Sequence, residues 1–577
     1  MDGAFTSTLD RKAKSATARL TGGISPVALM GAIADWGLHL AGSPGKQIEL
    51  VEKGLTHWAN LARFGLHCLT EPECSAAHPA QPQPGDHRFD DPAWERFPFN
   101  LYAQGFLLTE QWWHEATTGV RGVTRQHSDV VSFVTRQLLD MAAPSNTPLT
   151  NPVVLEQTAL QGGANLVRGF QNFLEDLGRQ LGHERPAGDG FKVGVDLATS
   201  PGKVILRNRL VEVIQYAPTT DQVQAEPILI VPAWIMKYYI LDLSPGNSLV
   251  RYLTGRGHTV FMISWKNPDS GDRDLGLDDY RQLGVMAALD AVSAIVPGEK
   301  IHAAGYCLGG TLLSIAAAAM ARDGDLRLAS ITLMAAQTDF TEPGEIALFI
   351  NESQVTFLED MMWQRGFLET GQMAGAFQLL RSNDLIWSRL IHDYLLGQRE
   401  KMIDLMSWNA DATRMPFRMH SEYLRHLFLD NELARAQFKV GDHTVALTDI
   451  RVPVFAVGTV TDHVAPWRSV YKINQLTDTD VTFLLTSGGH NAGIVAGPEN
   501  PKRHYQINHR KATDPHVDPD RFQQAAPRHE GSWWPAWAGW IEGLQQERPK
   551  VSPPPLGRAD AGYAPLTDAP GTYVYQP

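Results

Sequence analysis

Residues Ile301 to Ala321 read IHAAGYCLGGTLLSIAAAAMA. A strand-length apolar run, Ile301 to Gly305, meets a helix of small residues with only a few residues between them. A strand that turns so sharply into a helix, with apolar residues on both of its faces, belongs to a sheet covered by helices. The turn itself, Gly305-Tyr306-Cys307-Leu308-Gly309, is a G-x-C-x-G signature, the cysteine form of the G-x-S-x-G nucleophile elbow. The nucleophile of such an elbow sits on a strained turn, and Gly305 and Gly309 leave room for close backbone approach. The helix that follows aims free N–H groups and its positive dipole end at the sulfur, which favours negative charge there. A buried free cysteine is more often a small hydrophobe than a nucleophile; the partners found further along the chain decide for the nucleophile at Cys307. Cys68 and Cys74 lack such a setting.

Similar apolar runs recur at Pro227 to Val231, Thr259 to Ser264, Leu328 to Ala335, Val452 to Gly458 and Val481 to Leu485. They are continuous rather than alternating, as in strands buried on both faces. Helical segments, among them Asp279 to Ile295 and Leu312 to Arg322, lie between them, so the expected fold is α/β with a parallel sheet. This catalytic region is expected to span 191–577. Between about 339 and 440 the strands stop and Met, Trp, Phe and Leu recur at helical spacing, which reads as a helical cap insertion. Residues 1–190 read as mostly helical, with patterns at Ile48 to Leu66, Phe99 to Gln111, Asp129 to Met141 and Asn165 to Gln180, broken by a Pro-rich linker over 75–97. Leu166, Phe170, Phe173, Leu174 and Leu177 fall on one helical face, expected to pack on the rest of the chain or on a second subunit. The end of the chain, Pro549 to Pro577, reads as irregular and lying along the surface.

A catalytic triad on such a sheet follows the chain order nucleophile, acid, histidine. Asp462 follows the strand RVPVFAVG, and His490 follows VTFLLT in the loop Ser487-Gly488-Gly489-His490. Both loops lie at the C-terminal ends of strands, the edge where ligands bind in open α/β sheets. Cys307, Asp462 and His490 are therefore the candidate triad. His463 is the rival base, better suited to holding the Asp462 loop. An acyl-transfer site also needs an oxyanion hole. The backbone N–H of Leu308 is one candidate donor, and the second is expected near Trp234 or Ile235, with Ile235 preferred. Trp533, Trp534, Trp537 and Trp540 suit a helix face packed into the core, and Trp408 in the cap reads as packing too.

The chain carries 50 Lys and Arg against 63 Asp and Glu, a net charge of −13, which gives no support to broad nucleic-acid binding. No cysteine/histidine cluster has metal-ligand spacing, and no phosphate-cradling or dinucleotide-binding glycine motif is present. Neither metal nor cofactor is expected. Three cysteines argue against a disulfide framework and fit a reducing compartment. The N-terminus does not read as a signal peptide, and no run of 18 apolar residues suggests a membrane span. A cytoplasmic location is expected.

Several segments together resemble poly(3-hydroxyalkanoate) synthases: PLTNPVVLEQT, PAWIMKYYILDLSPGNSLVRYL, GHTVFMISWKNPD, GYCLGG, TDHVAPW, SGGHNAGIV and GSWWPAWAGWI. The resemblance runs from about Pro148 to the C-terminus and is loose before residue 140. It implies an α/β-hydrolase fold with a mobile cap, and a helical N-terminal region that aids dimerisation and granule attachment. The family's nucleophile falls on Cys307, its acid on Asp462 and its base on His490. The elbow context resembles the class I type, which acts as a homodimer on short-chain monomers. The implied reaction polymerises (R)-3-hydroxyacyl-CoA, most simply 3-hydroxybutyryl-CoA, at the surface of polyester granules, with coenzyme A released and granule-associated proteins as further partners. Two other readings share the elbow or the setting: a cysteine thioesterase or polyester hydrolase, and a non-catalytic granule-coating protein.

Overall fold

A computed structural model of the chain describes residues 3–70, 77–83, 85–180, 190–372, 386–399, 401–545 and 548–577. The backbone groups into two units. One comprises 1–23, 190–373 and 402–577; the other comprises 24–189 and 374–401. This grouping departs from a single division at residue 190 in two places. The first helix, α1 (Gly3–Leu20), belongs with the catalytic sheet, and part of the segment between 339 and 440 belongs with the helical unit.

The helical unit holds α2 (Pro26–Ala41), α3 (Pro44–Thr70), α4 (Phe99–Thr117), α5 (Arg125–Met141), α6 (Pro152–Leu160) and α7 (Ala164–Gln180). Short polar side chains start several of them. Ser25, Thr124 and Asn151 each accept an N–H of the first turn, and proline fills the first position of α2 and α6. A buried ion cluster joins α4 and α5: Arg88 reaches Asp86 at 2.6 Å and Asp140 at 2.7 Å, and Arg136 reaches Glu110 at 2.8 Å. On α7, Asp176 accepts from Arg389, Arg399 and the Tyr394 hydroxyl. The apolar side chains of α7 that the periodicity aligns, Leu166 through Leu177, are exposed within the chain, Phe170 at 61%. Cys68 is disulfide-bonded, a departure from the reduced state expected of it. Cys74 lies outside the described residues.

The catalytic unit is built on one eleven-stranded sheet. Its strands are β1 (Gly202–Arg207), β2 (Val211–Tyr216), β3 (Ile228–Val231), β4 (Val260–Trp265), β5 (Ile301–Tyr306), β6 (Leu328–Met334), β7 (Val454–Thr459), β8 (Val481–Thr486), β9 (His504–Arg510), β10 (Arg528–Glu530) and β11 (Thr567–Asp568). In space they run β10-β9-β8-β7-β6-β5-β3-β4-β2-β1-β11. The six strands expected from the continuous apolar runs are the parallel centre, from β4 to β8. The remaining strands flank them in antiparallel pairing. Nearly every side chain of the central strands is buried on both faces, each side chain of Val, Leu, Ile or Phe contributing about 1.5–3 kcal/mol on leaving water.

The chain crosses from β4 back over β3 to reach β5, so β3 and β5 are neighbours whose exits lead in opposite directions along the sheet. Such a switch point opens a crevice at the strands' C-terminal ends. It places the loop after β3 beside the turn after β5, with Val231 opposite Gly305 in register. The elbow helix α8 (Leu308–Arg322) is buried along most of its length, as its Gly and Ala content permits. In the segment after β6, α9 (Glu352–Trp363) packs against α1: Lys14 meets Asp360 at 2.9 Å, Arg11 lies over the Trp363 ring, and Gln354 donates to the Gly23 carbonyl. No described helix is long and apolar enough to cross a membrane.

Candidate active site

Cys307 sits between the last residue of β5 and the first of α8 with φ 52° and ψ −126°, a region that costs a non-glycine residue roughly 1–3 kcal/mol. The surroundings hold it there. Its N–H donates to the Met334 carbonyl at 2.8 Å, and its carbonyl accepts from the N–H groups of Gly310 and Thr311. The elbow's glycines are required by close approach. A Cβ on Gly305 would lie 2.4 Å from the Gly310 Cα, and one on Gly309 would lie 2.1 Å from the Val231 carbonyl oxygen. The strand enters and the helix leaves almost touching, which is why the sulfur stands at the sheet's edge with only 8% of the residue exposed.

The acid and the base arrive from the next two parallel strands. Asp462 lies three residues beyond Thr459, the end of β7, and its side chain is wholly buried. One oxygen accepts from the N–H groups of Val464 (2.9 Å) and Ala465 (2.8 Å). The other accepts from the Thr459 hydroxyl (2.9 Å) and from His490 Nδ1 (2.8 Å). Burial would push the Asp462 carboxyl up; the charge of His490 and these donated hydrogen bonds outweigh it and hold it below the usual carboxylate value. Burial likewise opposes a charged imidazole on His490. The Asp462 charge, the Cys307 sulfur and hydrogen bonds to both nevertheless hold it well above its ordinary value. With Nδ1 committed to Asp462, Nε2 is the nitrogen left to serve Cys307. The imidazole is thus bonded to the carboxylate and within electrostatic reach of the sulfur, the three residues following one another in the order nucleophile, acid, histidine. His463 gives its carbonyl to the Glu345 N–H, a contact that fastens the Asp462 loop.

Two supports of His490 were not anticipated from the sequence. Tyr306, next to the nucleophile, lays its ring 5.6 Å from the His490 ring, and its hydroxyl donates to Asn491 at 2.5 Å. The tryptophans of α10 (Trp534–Leu544) and its entry do more than pack. Trp533 Nε1 donates to the Gly493 and Ile494 carbonyls, and Trp534 Nε1 to Ile494, so two indoles clamp the backbone just beyond His490. Trp537 instead donates to Thr332 inside the sheet. Tyr306 was readable as part of the motif; the indole clamps were not, since their acceptors are backbone carbonyls some forty residues away.

Leu308 is the first residue of α8, and its N–H lies next to the sulfur in sequence with no helical acceptor to use. The loop after β3 is fastened through its carbonyls. Pro232 accepts from the Trp265 indole, Trp234 from the Thr413 hydroxyl, Ile235 from the Thr413 N–H and Lys237 from the Trp408 indole. The N–H groups of Trp234 and Ile235 donate to no backbone carbonyl among the described residues, so both are free to serve as oxyanion donors. Trp408, buried as expected, is therefore a strut between the cap and this loop. From the cap, Tyr423 packs with Phe340 and Phe428, and burial, reinforced by charge at Cys307, raises its phenol well above the usual value.

A second serine, histidine and carboxylate set lies elsewhere in the unit. His302 Nδ1 is 2.7 Å from the Ser330 hydroxyl, and Nε2 is 3.0 Å from Glu226. It occupies the opposite end of the same strands, about 16 Å from the elbow by strand rise, and Ser330 is fully buried. It ties β3, β5 and β6 together and offers no approach to a substrate. Among the described residues no group of three His, Cys, Asp or Glu side chains could hold a metal ion.

Comparison with known proteins agrees with this architecture. Residues 85–253 match the model described as the poly-beta-hydroxybutyrate polymerase (PhaC) N-terminus, and 4–46 match that of the poly-beta-hydroxybutyrate polymerase N terminal region. Residues 226–496 match the alpha/beta hydrolase fold. The chain is 40% identical over 532 residues to the poly(3-hydroxyalkanoate) polymerase of Methylorubrum extorquens, covering 92% of this chain and 86% of that one. It is 36% identical to the polymerase subunit of Rhizobium meliloti, over 86% of this chain and 80% of that one. To the subunit of Cupriavidus necator it is 34% identical, over 85% and 83%.

Proposed function

Because the chain belongs to the poly(3-hydroxyalkanoate) polymerase family, we propose that it polymerises (R)-3-hydroxyacyl-CoA, with 3-hydroxybutyryl-CoA as the simplest monomer, into polyester through an acyl group carried on Cys307. The observation that carries this reading is His490, hydrogen-bonded through Nδ1 to Asp462 at 2.8 Å and near enough to the cysteine of the strained elbow for Cys307 to help raise its basicity.

The steps follow from that geometry. His490 Nε2 takes the Cys307 proton while Asp462 orients the imidazole and stabilises its cation. The sulfur attacks the thioester carbonyl, and the oxyanion that forms is met by the Leu308 N–H and by an N–H of the loop after β3, at Ile235 or Trp234. The carbon–sulfur bond to coenzyme A breaks, and the departing thiolate takes the proton from His490. The acyl group remains a thioester, still activated for attack by an alcohol. A 3-hydroxyl group, from a chain end or a second monomer, then gives its proton to His490 as its oxygen attacks the carbonyl carbon. The bond to Cys307 breaks, the sulfur recovers the proton, and one ester has been added. Competing water must be kept out, a task suited to the apolar wall of Tyr423, Phe340 and Phe428.

Coenzyme A enters as part of the substrate and leaves as product. Action as a homodimer at the surface of polyester granules in the cytoplasm completes the reading. The test is coenzyme A release measured together with light scattering, for the protein and its Cys307→Ala variant given (R)-3-hydroxybutyryl-CoA. Release with growing insoluble polyester, both lost in the variant, is expected. Release of soluble hydroxy acid alone would make the protein a hydrolase, and polymer formation by the variant would end the cysteine mechanism.

A further inference from the structure

Lys237, in the loop after β3, is 3% exposed, with the Asp411 carboxylate near enough to favour its charge. Its ammonium donates to backbone carbonyls of the C-terminal segment, Gln576 at 2.5 Å and Tyr573 at 3.5 Å. Burying a lysine is costly, and the nearby Asp411 charge offsets that only in part against burial and Arg414, so the carbonyls that hold it must themselves be held in place. The tail is pinned first by a second buried charge. Glu212 on β2 accepts from the Thr572 N–H (2.8 Å), the Thr572 hydroxyl (2.8 Å) and the Tyr573 N–H (3.0 Å). The Tyr573 hydroxyl reaches the Asn208 carbonyl. Beyond Lys237, the Pro577 oxygen accepts from Asn267 (2.6 Å) and Arg414 (2.7 Å), and the Arg414 N–H donates to Asn267. Arg414 adjoins Thr413, whose N–H and hydroxyl hold the Ile235 and Trp234 carbonyls.

The tail, the cap residues 411–414 and the loop after β3 are therefore one hydrogen-bonded assembly, and Lys237 is where all three meet: its own N–H donates to the Asp411 carbonyl and its carbonyl accepts from Trp408. We infer that Lys237 is a positioning residue for acyl transfer, tying residues 573–577 to the loop after β3 and so fixing the N–H groups of Trp234 and Ile235 beside the nucleophile elbow. It acts within the acyl-transfer reading proposed above and touches no reacting atom.

The discriminating chemistry is a pair of reactions at the same sulfur. Acylation by a thioester builds up an oxyanion; alkylation by iodoacetamide displaces iodide at a saturated carbon and builds none. In Lys237→Met, kcat for coenzyme A release from (R)-3-hydroxybutyryl-CoA is expected to fall about a hundredfold, the effect of a misplacement near 1 Å, with KM and the rate of Cys307 alkylation both near those of the parent. Deletion of residues 576–577 removes the acceptor instead of the donor and should act in the same direction. It carries the same test if Lys237→Met does not fold. The combined variant should be no slower than Lys237→Met alone. Parent-like kcat in both variants would overturn the inference, as would alkylation falling in step with kcat, which would mean that the whole site had loosened. A parent enzyme whose Cys307 reacts with iodoacetamide but which, left unalkylated, releases no coenzyme A would instead overturn the acyl-transfer reading itself, and this inference with it.

Discussion

Replacing Gly309 with alanine tests whether the elbow and the loop after β3 form one catalytic unit. The added methyl group would sit 2.1 Å from the Val231 carbonyl oxygen and 2.6 Å from that of Pro232, both rigid backbone at the exit of β3. Ordinary contact begins at 3.4 Å, so α8 and the loop must part by roughly 1 Å. Overpacking of this kind costs about 1–3 kcal/mol, and alanine's better fit to a helix returns about 1 kcal/mol. The net loss of stability is therefore modest, about 0–2 kcal/mol. The rate should suffer more. The two candidate oxyanion donors lie on the two bodies being forced apart, and a 1 Å misplacement costs about a hundredfold, equivalent to about 2.7 kcal/mol of barrier. The assay is coenzyme A release beside a denaturant midpoint, with Gly539→Ala as control, since a Cβ there meets nothing within 4 Å. Gly309→Ala with parental activity would refute the idea that these two bodies cooperate. A stability loss well beyond the rate loss would show that the glycine serves folding alone.

Asp462→Asn should lower coenzyme A release by about 10⁴-fold, the scale for losing the residue that orients a catalytic histidine; because the Asp462 charge helps raise His490, the pH at which His490 titrates by NMR should move down. Trp533→Phe deletes the donor to the Gly493 and Ile494 carbonyls and should cost about 1–3 kcal/mol; its thermal midpoint should fall, with kcat dropping more than KM changes. Burial would raise Glu226, but its hydrogen bond to His302 and nearby cations hold it below its usual 4.5. The stability this supplies is complete above that pH and is lost as pH falls through the depressed value. Urea midpoints across that range should therefore decline less steeply for Glu226→Gln than for the parent, and equal slopes would remove Glu226 from the acid response.

How much of this was legible follows from where each signal resides. The central strands announce themselves because burial on both faces leaves only apolar letters. The flanking strands do not. β2 carries Glu212 and Gln215, both buried, and their partners lie in the far C-terminal segment. Polar letters in a strand read as loop until the tail that satisfies them is in place. β9 is half-exposed and mostly polar, with only Tyr505 and Ile507 packed on the core to mark it. Cys307, Asp462 and His490 could be named in advance because each follows a legible strand. The C-terminal residues, read as lying on the surface, instead insert Val574 into the core and bring backbone carbonyls to Lys237. No local pattern encodes that, since acceptors on the backbone carry no letter of their own.

The pairing of α1 with α9 also bears on the order in which the protein can be made. α9 begins about 330 residues after α1 ends. At roughly 5–20 residues per second of synthesis, the first helix waits about 15–65 seconds for its partner. In that interval α2 to α7 emerge and have one another to pack against, while α1, among the described residues, pairs chiefly with α9. Its sequence, GAFTSTLDRKAKSATARL, is polar enough to wait in water without offering a sticky face to neighbouring chains. The catalytic unit closes later still, because β1 pairs with β11 near the other end of the chain. α1 is thus made long before the segment that gives it a place in the fold.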